Sequence, residues 1–394
     1  MKDFMSFNLN TPTNLLFGSG MLDRLGEQRL PGSKALLLIS NGSSVRTTGT
    51  LARTQAQLEI ASIEHAVCAN VHENPSKDAV MEAAARCREE GCDFIVALGG
   101  GAVLDAAVAV AAMATNDGDL WDYVNGGTGK GLPLAQTPLP IVAIATTSGT
   151  GSEINNWGVI SNPETREKIG FGGTPELNPV LAVVDPELMR TVPARYTAYQ
   201  GFDALFHNTE VMISNGLNIL SEAVALSAIE AIARFLPRAV ADGADLEARE
   251  QVAYGSTVAG MTMQLTSTTA KHSMEHAMSA FHPSLPHGAG LVMIAEEFYR
   301  FFVERHACDE RFIKMARAMG AADANKPEDF LGALVRLEKA CGVDGLKMSD
   351  FGIAYEEADA LARNARETMG GLFLANPCEM THEDCAGIFQ RAWR

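Results

Sequence analysis

The 394-residue chain has no basic run, and its 31 Lys and Arg against 48 Asp and Glu give a formal charge of −17. Such acidity disfavours nucleic acid or anionic membrane as a partner. Long apolar runs are missing as well. Ala106 to Ala114, among the longest, falls well short of the ~20 residues a helical membrane span requires. The opening stretch MKDFMSFNLNTP lacks an apolar signal core, so a cytoplasmic location is expected. The seven cysteines (Cys68, Cys87, Cys92, Cys308, Cys341, Cys378 and Cys385) are odd in number and scattered, with no CxxC spacing. They read as reduced packing thiols rather than as a disulfide framework or a thiolate metal site. No internal repeat or low-complexity tract is evident, and the length allows two domains with separate cores.

The first half does contain short, β-branched apolar runs separated by helical periodicity. Residues 35–39 (ALLLI), 94–98 (FIVAL), 141–145 (IVAIA) and 181–184 (LAVV) read as buried parallel strands. Helices are expected over 48–59, 76–90 and 102–115. This alternation implies an α/β domain with a doubly wound, mostly parallel sheet over residues 1–190. Strand signals then stop. Ala-, Leu-, Met- and Glu-rich segments at 197–214, 219–235, 246–267, 290–304, 312–320 and 356–368 predict an all-helical domain over 191–394.

Histidine is concentrated. Four of nine lie between Lys271 and Gly288, in KHSMEHAMSAFHPSLPHG. Asp203 and His207 in GFDALFH share one helix face at a spacing of four, and His272 and His276 repeat that spacing on a second predicted helix. His287 follows in a Pro286/Gly288 turn that can bring its side chain in from another direction. One carboxylate and three imidazoles suit a divalent transition metal such as Fe2+ or Zn2+, and no cysteine lies nearby to offer a thiolate. A lone histidine is more often a capping or surface residue; it is the combination that points to a metal.

Two glycine-rich turns suggest a nucleotide. The strand 94–98 runs into Gly99-Gly100-Gly101 and a helix, so the backbone can approach a diphosphate at a helix N-terminus. GxGxxG is incomplete there because Leu104 stands at its last position, and a plain tight turn would look the same. The strand 141–145 leads into Thr146-Thr147-Ser148-Gly149-Thr150-Gly151-Ser152-Glu153, where parallel sheets bind ligands. After the first confident strand comes Ser40-Asn41-Gly42-Ser43-Ser44 with no acid. That absence permits NADP as well as NAD, with Ser43, Ser44 and Arg46 as candidate phosphate partners.

Taken in order and spacing, these motifs resemble the iron-containing, or group III, alcohol dehydrogenases over nearly the whole chain. The resemblance rests on Leu16-Phe17-Gly18-Ser19-Gly20, Gly99-Gly100-Gly101-x3-Asp105, Thr146-Thr147-x-Gly149-Thr150-Gly151-Ser152-Glu153, Val184-Asp185-Pro186-Glu187-Leu188, Gly201-x-Asp203-Ala204-Leu205-x-His207, and His272-x3-His276 ending in Pro286-His287-Gly288. It implies a dinucleotide-binding domain, a helical domain and a catalytic metal between them. By position it implies Asp203, His207, His272 and His287 as metal ligands and His276 as a non-ligating histidine beside the reacting centre. Gly99, Gly100, Gly101, Asp105, Thr146, Thr147 and Lys168 are similar to cofactor contacts. The chain departs from the usual pattern at Ala102 and Val108, and by one extra residue between His276 and His287.

The function implied is reversible hydride transfer between a primary alcohol and its aldehyde, with Fe2+ or Zn2+ and NAD or NADP, in a dimer or larger homo-oligomer. Three other readings make distinct predictions. A zinc polyol oxidoreductase similar to glycerol dehydrogenase would prefer Zn2+, a metal-dependent hydrolase or lyase would turn over without nicotinamide, and a non-catalytic nucleotide-binding protein would bind cofactor and reduce nothing.

Overall fold

Six parallel strands form the sheet of the N-terminal unit in a computed structural model that describes residues 4–394. They are β1 (Asn14–Phe17), β2 (Lys34–Ser40), β3 (Glu64–Val71), β4 (Phe94–Gly99), β5 (Ile141–Ala145) and β8 (Leu181–Val184); β6 (Trp157–Asn162) and β7 (Glu167–Gly172) form a separate antiparallel hairpin. The sheet order is β1-β8-β5-β4-β2-β3, with every neighbouring pair parallel. From β2 the chain moves outward to β3, then returns past β2 to β4 and continues the other way through β5 and β8. The carboxyl ends of β2 and β4 therefore flank the point at which the connections diverge, where open α/β sheets form a ligand crevice.

Both sheet faces are covered. Leu37, Ile39, Val96, Leu98, Val142 and Ile144 pack with Leu22 and Leu25 of a 3-10 turn and with Leu51 and Leu58 of α1 (Thr50–Ile60). Alternation turns Leu36, Leu38, Ile95 and Ala97 to the other face, where they are equally buried. Helices α2 (Lys77–Glu90) and α3 (Gly101–Met113) pack against each other, and α3 lies on β4 and β5. Burial on both sides explains why the central strands carry unbroken apolar runs.

The second unit comprises residues 192–394 and the described residues up to Leu9, where the Ile219 N–H donates to the Phe4 carbonyl at 2.8 Å. Its main helices are α4 (Ala194–Ile213), α5 (Ile219–Ala241), α6 (Leu246–Leu265), α7 (Ala270–Phe281), α8 (His287–Glu304), α9 (Asp309–Ala318), α10 (Glu328–Ala340), α11 (Ala358–Met369) and α12 (His382–Ala392). They enclose one core that includes Phe202, Phe206, Phe298, Tyr299, Phe312 and Phe330. The helix expected to end at Phe235 continues through Pro237 to Ala241. The burial of Leu236 and Ala239 offsets the hydrogen bond that proline removes. Likewise α8 starts at His287, three residues before the expected start, because Pro286 caps it with φ −65°. Among the described residues no helix is long and apolar enough to cross a membrane.

Candidate active site

Three helices of the second unit bring the predicted metal-binding residues together. On α4, Asp203, His207 and Glu210 stand at i, i+4 and i+7 and share one face. His272 and His276 lie on α7, and His287 is the first residue of α8. Gly288 lets α8 press against α4, since a Cβ there would lie 2.2 Å from the Tyr199 carbonyl oxygen. Donor atoms of Asp203, His207 and His272 all fall within 4.8 Å of one another. His272 Nε2 and His287 Nε2 are each 3.5 Å from Asp203 Oδ1.

Asp203 Oδ1 and His272 Nε2 are buried and have no hydrogen-bond partner. Two facing, unsatisfied polar atoms in a protein interior cost about 1–3 kcal/mol each unless something lies between them. A divalent cation fits that role, and the donor set of one carboxylate and three imidazoles suits iron or zinc.

The surrounding hydrogen bonds fix the imidazoles. His207 Nδ1 lies 2.9 Å from the Asp203 carbonyl oxygen, the partner expected one helical turn back. His272 Nδ1 is 2.7 Å from Glu210 Oε1, while Glu210 Oε2 accepts from the Thr269 N–H at 2.9 Å and from its hydroxyl at 2.8 Å. His287 Nδ1 contacts Glu275 Oε2, and the Ser279 hydroxyl donates to Glu275 Oε1. His276 turns Nδ1 toward Met369 Sδ at 3.0 Å, with its ring 5.3 Å from that of His287.

Electrostatics follow burial and partner. Burial would raise the Asp203 carboxyl, but His207, His272 and His287 outweigh it and hold the group well below its ordinary range. Burial pushes His207 down to about 4, with Asp203 opposing only in part. Burial also acts to lower His272, yet Glu210 and Asp203 overcome it and keep the group above its usual value. The carboxylates therefore demand positive charge at this point, which a cation supplies.

In the N-terminal unit, the two glycine-rich turns pack on each other. A Cβ at Gly100 would lie 3.0 Å from Thr147, and one at Gly101 would lie 2.4 Å from Thr150 Cγ2. The Thr146 N–H donates to the Gly99 carbonyl at 2.9 Å. Gly100 and Gly101 are thus required by loop-on-loop packing. Asp105 anchors the same region: Oδ1 accepts from the Ser152 hydroxyl at 2.7 Å, and Oδ2 accepts from the Val159 N–H at 3.0 Å. Ser43 and Ser44 are exposed just beyond β2. Lys168 is buried on β7, in register with Ser161.

Comparison with known proteins decides the family. Residues 12–186 match iron-containing alcohol dehydrogenase, and residues 197–393 match the C-terminal part of the Fe-containing alcohol dehydrogenase family. The chain belongs to the iron-containing alcohol dehydrogenase family. It is 33% identical over 401 residues to 1,3-propanediol dehydrogenase of Klebsiella pneumoniae, covering 100% of this chain and 99% of that one. It is 32% identical to probable NADH-dependent butanol dehydrogenase 1 of Bacillus subtilis (strain 168), covering 93% and 94%. Among solved structures, an archaeal halo-thermophilic alcohol dehydrogenase from a Red Sea brine pool superposes with a TM-score of 0.92 at 32% identity, over 98% of this chain and 99% of that one. As an iron-containing alcohol dehydrogenase the chain is an oxidoreductase. Glu210, Glu275, Ser279 and Met369 of this enzyme go unmentioned in the sequence reading. The available signal was spacing: Glu210 continues the Asp203/His207 face, and Glu275 lies three residues after His272.

Proposed function

We propose that this alcohol dehydrogenase interconverts short primary alcohols and their aldehydes with NAD(H) or NADP(H), using one divalent metal held by Asp203, His207, His272 and His287. The observation that carries the reading is the buried, partnerless pair Asp203 Oδ1 and His272 Nε2, with His287 Nε2 converging on the same carboxylate oxygen. A divalent cation there supplies Lewis acidity toward a substrate oxygen, and nicotinamide supplies or accepts the hydride. Relatives named for 1,3-propanediol and for butanol motivate the short-chain substrate class. The iron-containing family favours Fe2+, and the relative named as NADH-dependent favours NADH, as the first combination to test.

The protein's own contribution is orientation. The turns at Gly99–Gly101 and Thr146–Thr147, with Ser43 and Ser44 across the β2/β4 crevice, are the assigned nucleotide contacts; Asp105 holds the second turn in place. Lys168 is assigned to the same region. His276 is assigned to carry the hydroxyl proton. With Met369 Sδ beside Nδ1, a proton held there leaves Nε2 as the basic nitrogen. A dimer or larger assembly is also proposed, and light scattering measures it directly.

The test is metal-depleted protein reloaded anaerobically with Fe2+ or Zn2+ and offered a panel of aldehydes with NADH and NADPH. Nicotinamide-dependent reduction that returns with Fe2+ supports the reading. Restoration by Zn2+ alone with preference for polyols favours the glycerol dehydrogenase-like alternative. Turnover without nicotinamide overturns it in favour of a hydrolase or lyase. Cofactor binding with no aldehyde reduced would leave a nucleotide-binding protein instead.

A further inference from the structure

His287 differs from the other three proposed ligands. Asp203, His207 and His272 have side chains only 5–8% exposed, whereas that of His287 is 24% exposed. It also begins a helix immediately after a proline turn, so no preceding helical turn braces it. A ring in that position would be free to rotate away from Asp203 unless another group held it.

Glu275 is that group. Its side chain is fully buried, one oxygen meets His287 Nδ1, and the other accepts from the Ser279 hydroxyl one helical turn further along α7. The packing leaves space for it. A Cβ at Gly290 would lie 2.8 Å from both Cγ and Oε1 of Glu275, so only glycine at that position leaves the carboxylate where it is. Each of the three imidazoles thus has its Nδ1 committed to a protein oxygen: the Asp203 carbonyl for His207, Glu210 for His272 and Glu275 for His287. With Nδ1 protonated as a donor, Nε2 is left as the nitrogen with a free lone pair. His272 and His287 both direct Nε2 toward Asp203 Oδ1.

We propose that Glu275 is a positioning residue: its carboxylate, supported by Ser279 and Gly290, sets the tautomer and orientation of His287 and makes the least buried ligand a strong donor. This inference rests on the metal reading given above. It assigns Glu275 no contact with substrate or cofactor.

The test uses Co2+ binding by the full-length protein, read from its visible d–d absorption and by competition with a chromophoric chelator. Glu275→Gln keeps the shape and an acceptor oxygen but removes the charge. The expected result is a wild-type band shape with a dissociation constant raised about tenfold. Glu275→Ala removes the acceptor too, and a shifted band with affinity weakened about 100-fold is expected. The Gln variant decides the matter if the Ala variant does not fold. A Glu275→Gln protein that melts like wild type when metal-free and binds Co2+ with unchanged affinity overturns the inference. Wild-type protein that takes up no Co2+ overturns the metal reading itself, and the inference with it.

Discussion

Lys271 Nζ lies 3.7 Å from Glu210 Oε1, both side chains fully buried, with the ammonium 3.0 Å from the centroid of the Phe206 ring. Burial pushes the lysine down to about 7. It would also raise Glu210, but His272, Lys271 and the Thr269 N–H outweigh it and hold the carboxyl at about 2, below its ordinary 4.5. A carboxyl lowered by folding stabilises the protein above the unfolded value and loses that contribution as pH falls from 4.5 toward 2. Glu210→Gln should cost about 3 kcal/mol at neutral pH by breaking a buried pair. It should also weaken metal binding by ~10-fold or more. Melting curves of the metal-free proteins should converge as the pH approaches 2. A constant difference across that range would contradict the assignment.

Glu338 predicts the opposite slope. It is buried on α10 with Oε1 unpartnered, and burial, followed by the nearby Glu296, raises its carboxyl to about 8. A folded value above the unfolded 4.5 means that the folded state binds more protons, so stability falls as pH rises from 4.5 to about 8. Glu338→Gln should remove that loss. The variant should melt several degrees higher than wild type at pH 8 and no higher at pH 4, as measured by calorimetry.

Gly101→Ala tests the packing of the two turns. Alanine suits the first turn of α3, but its Cβ would sit 2.4 Å from Thr150 Cγ2 and displace the loop after β5. Nucleotide affinity should fall by about tenfold or more, equivalent to ~1.4 kcal/mol. Metal content should not change. Fluorescence titration with NADH and NADPH, beside elemental analysis, measures both.

Asp105→Asn is expected to act in the same unit by another route. An asparagine offers one acceptor and one NH2 group, so either the Ser152 hydroxyl or the Val159 N–H loses its acceptor. The predicted cost is about 1–3 kcal/mol, with weaker nucleotide binding and intact metal binding. Unchanged nucleotide affinity in a destabilised protein would limit Asp105 to a role in folding.

The sheet centre and the histidine cluster were legible because their signals are local. FIVAL and IVAIA are buried on both faces, and Asp203/His207 and His272/His276 repeat one helical spacing. Strand β3, EHAVCANV, was not singled out: it lies at the sheet edge and its apolar residues are diluted by polar ones. Four-residue β1 is too short to show a period. Helices α10 and α12 were passed over although apolar residues recur along one side of each. For Glu210 and Glu275 the helical spacing places each near the histidines, but their roles are not local. The partner of each acid is 62 or 12 residues away in the chain, so only the packing of α4, α7 and α8 shows which imidazole it holds. The glycines at 99–101 fit either a ligand's approach or a plain tight turn in the sequence, and the contacts of Gly100 with Thr147 and of Gly101 with Thr150 depend on two loops meeting in space.

Metal content measured by elemental analysis in wild type, His272→Ala and His276→Ala tests the central claim most directly. The account predicts one divalent ion per chain in the wild type and in His276→Ala, with the latter slowed in turnover. His272→Ala should hold almost none while binding nucleotide normally. Loss of metal from His276→Ala, or its full retention by His272→Ala, would contradict the proposed ligand set.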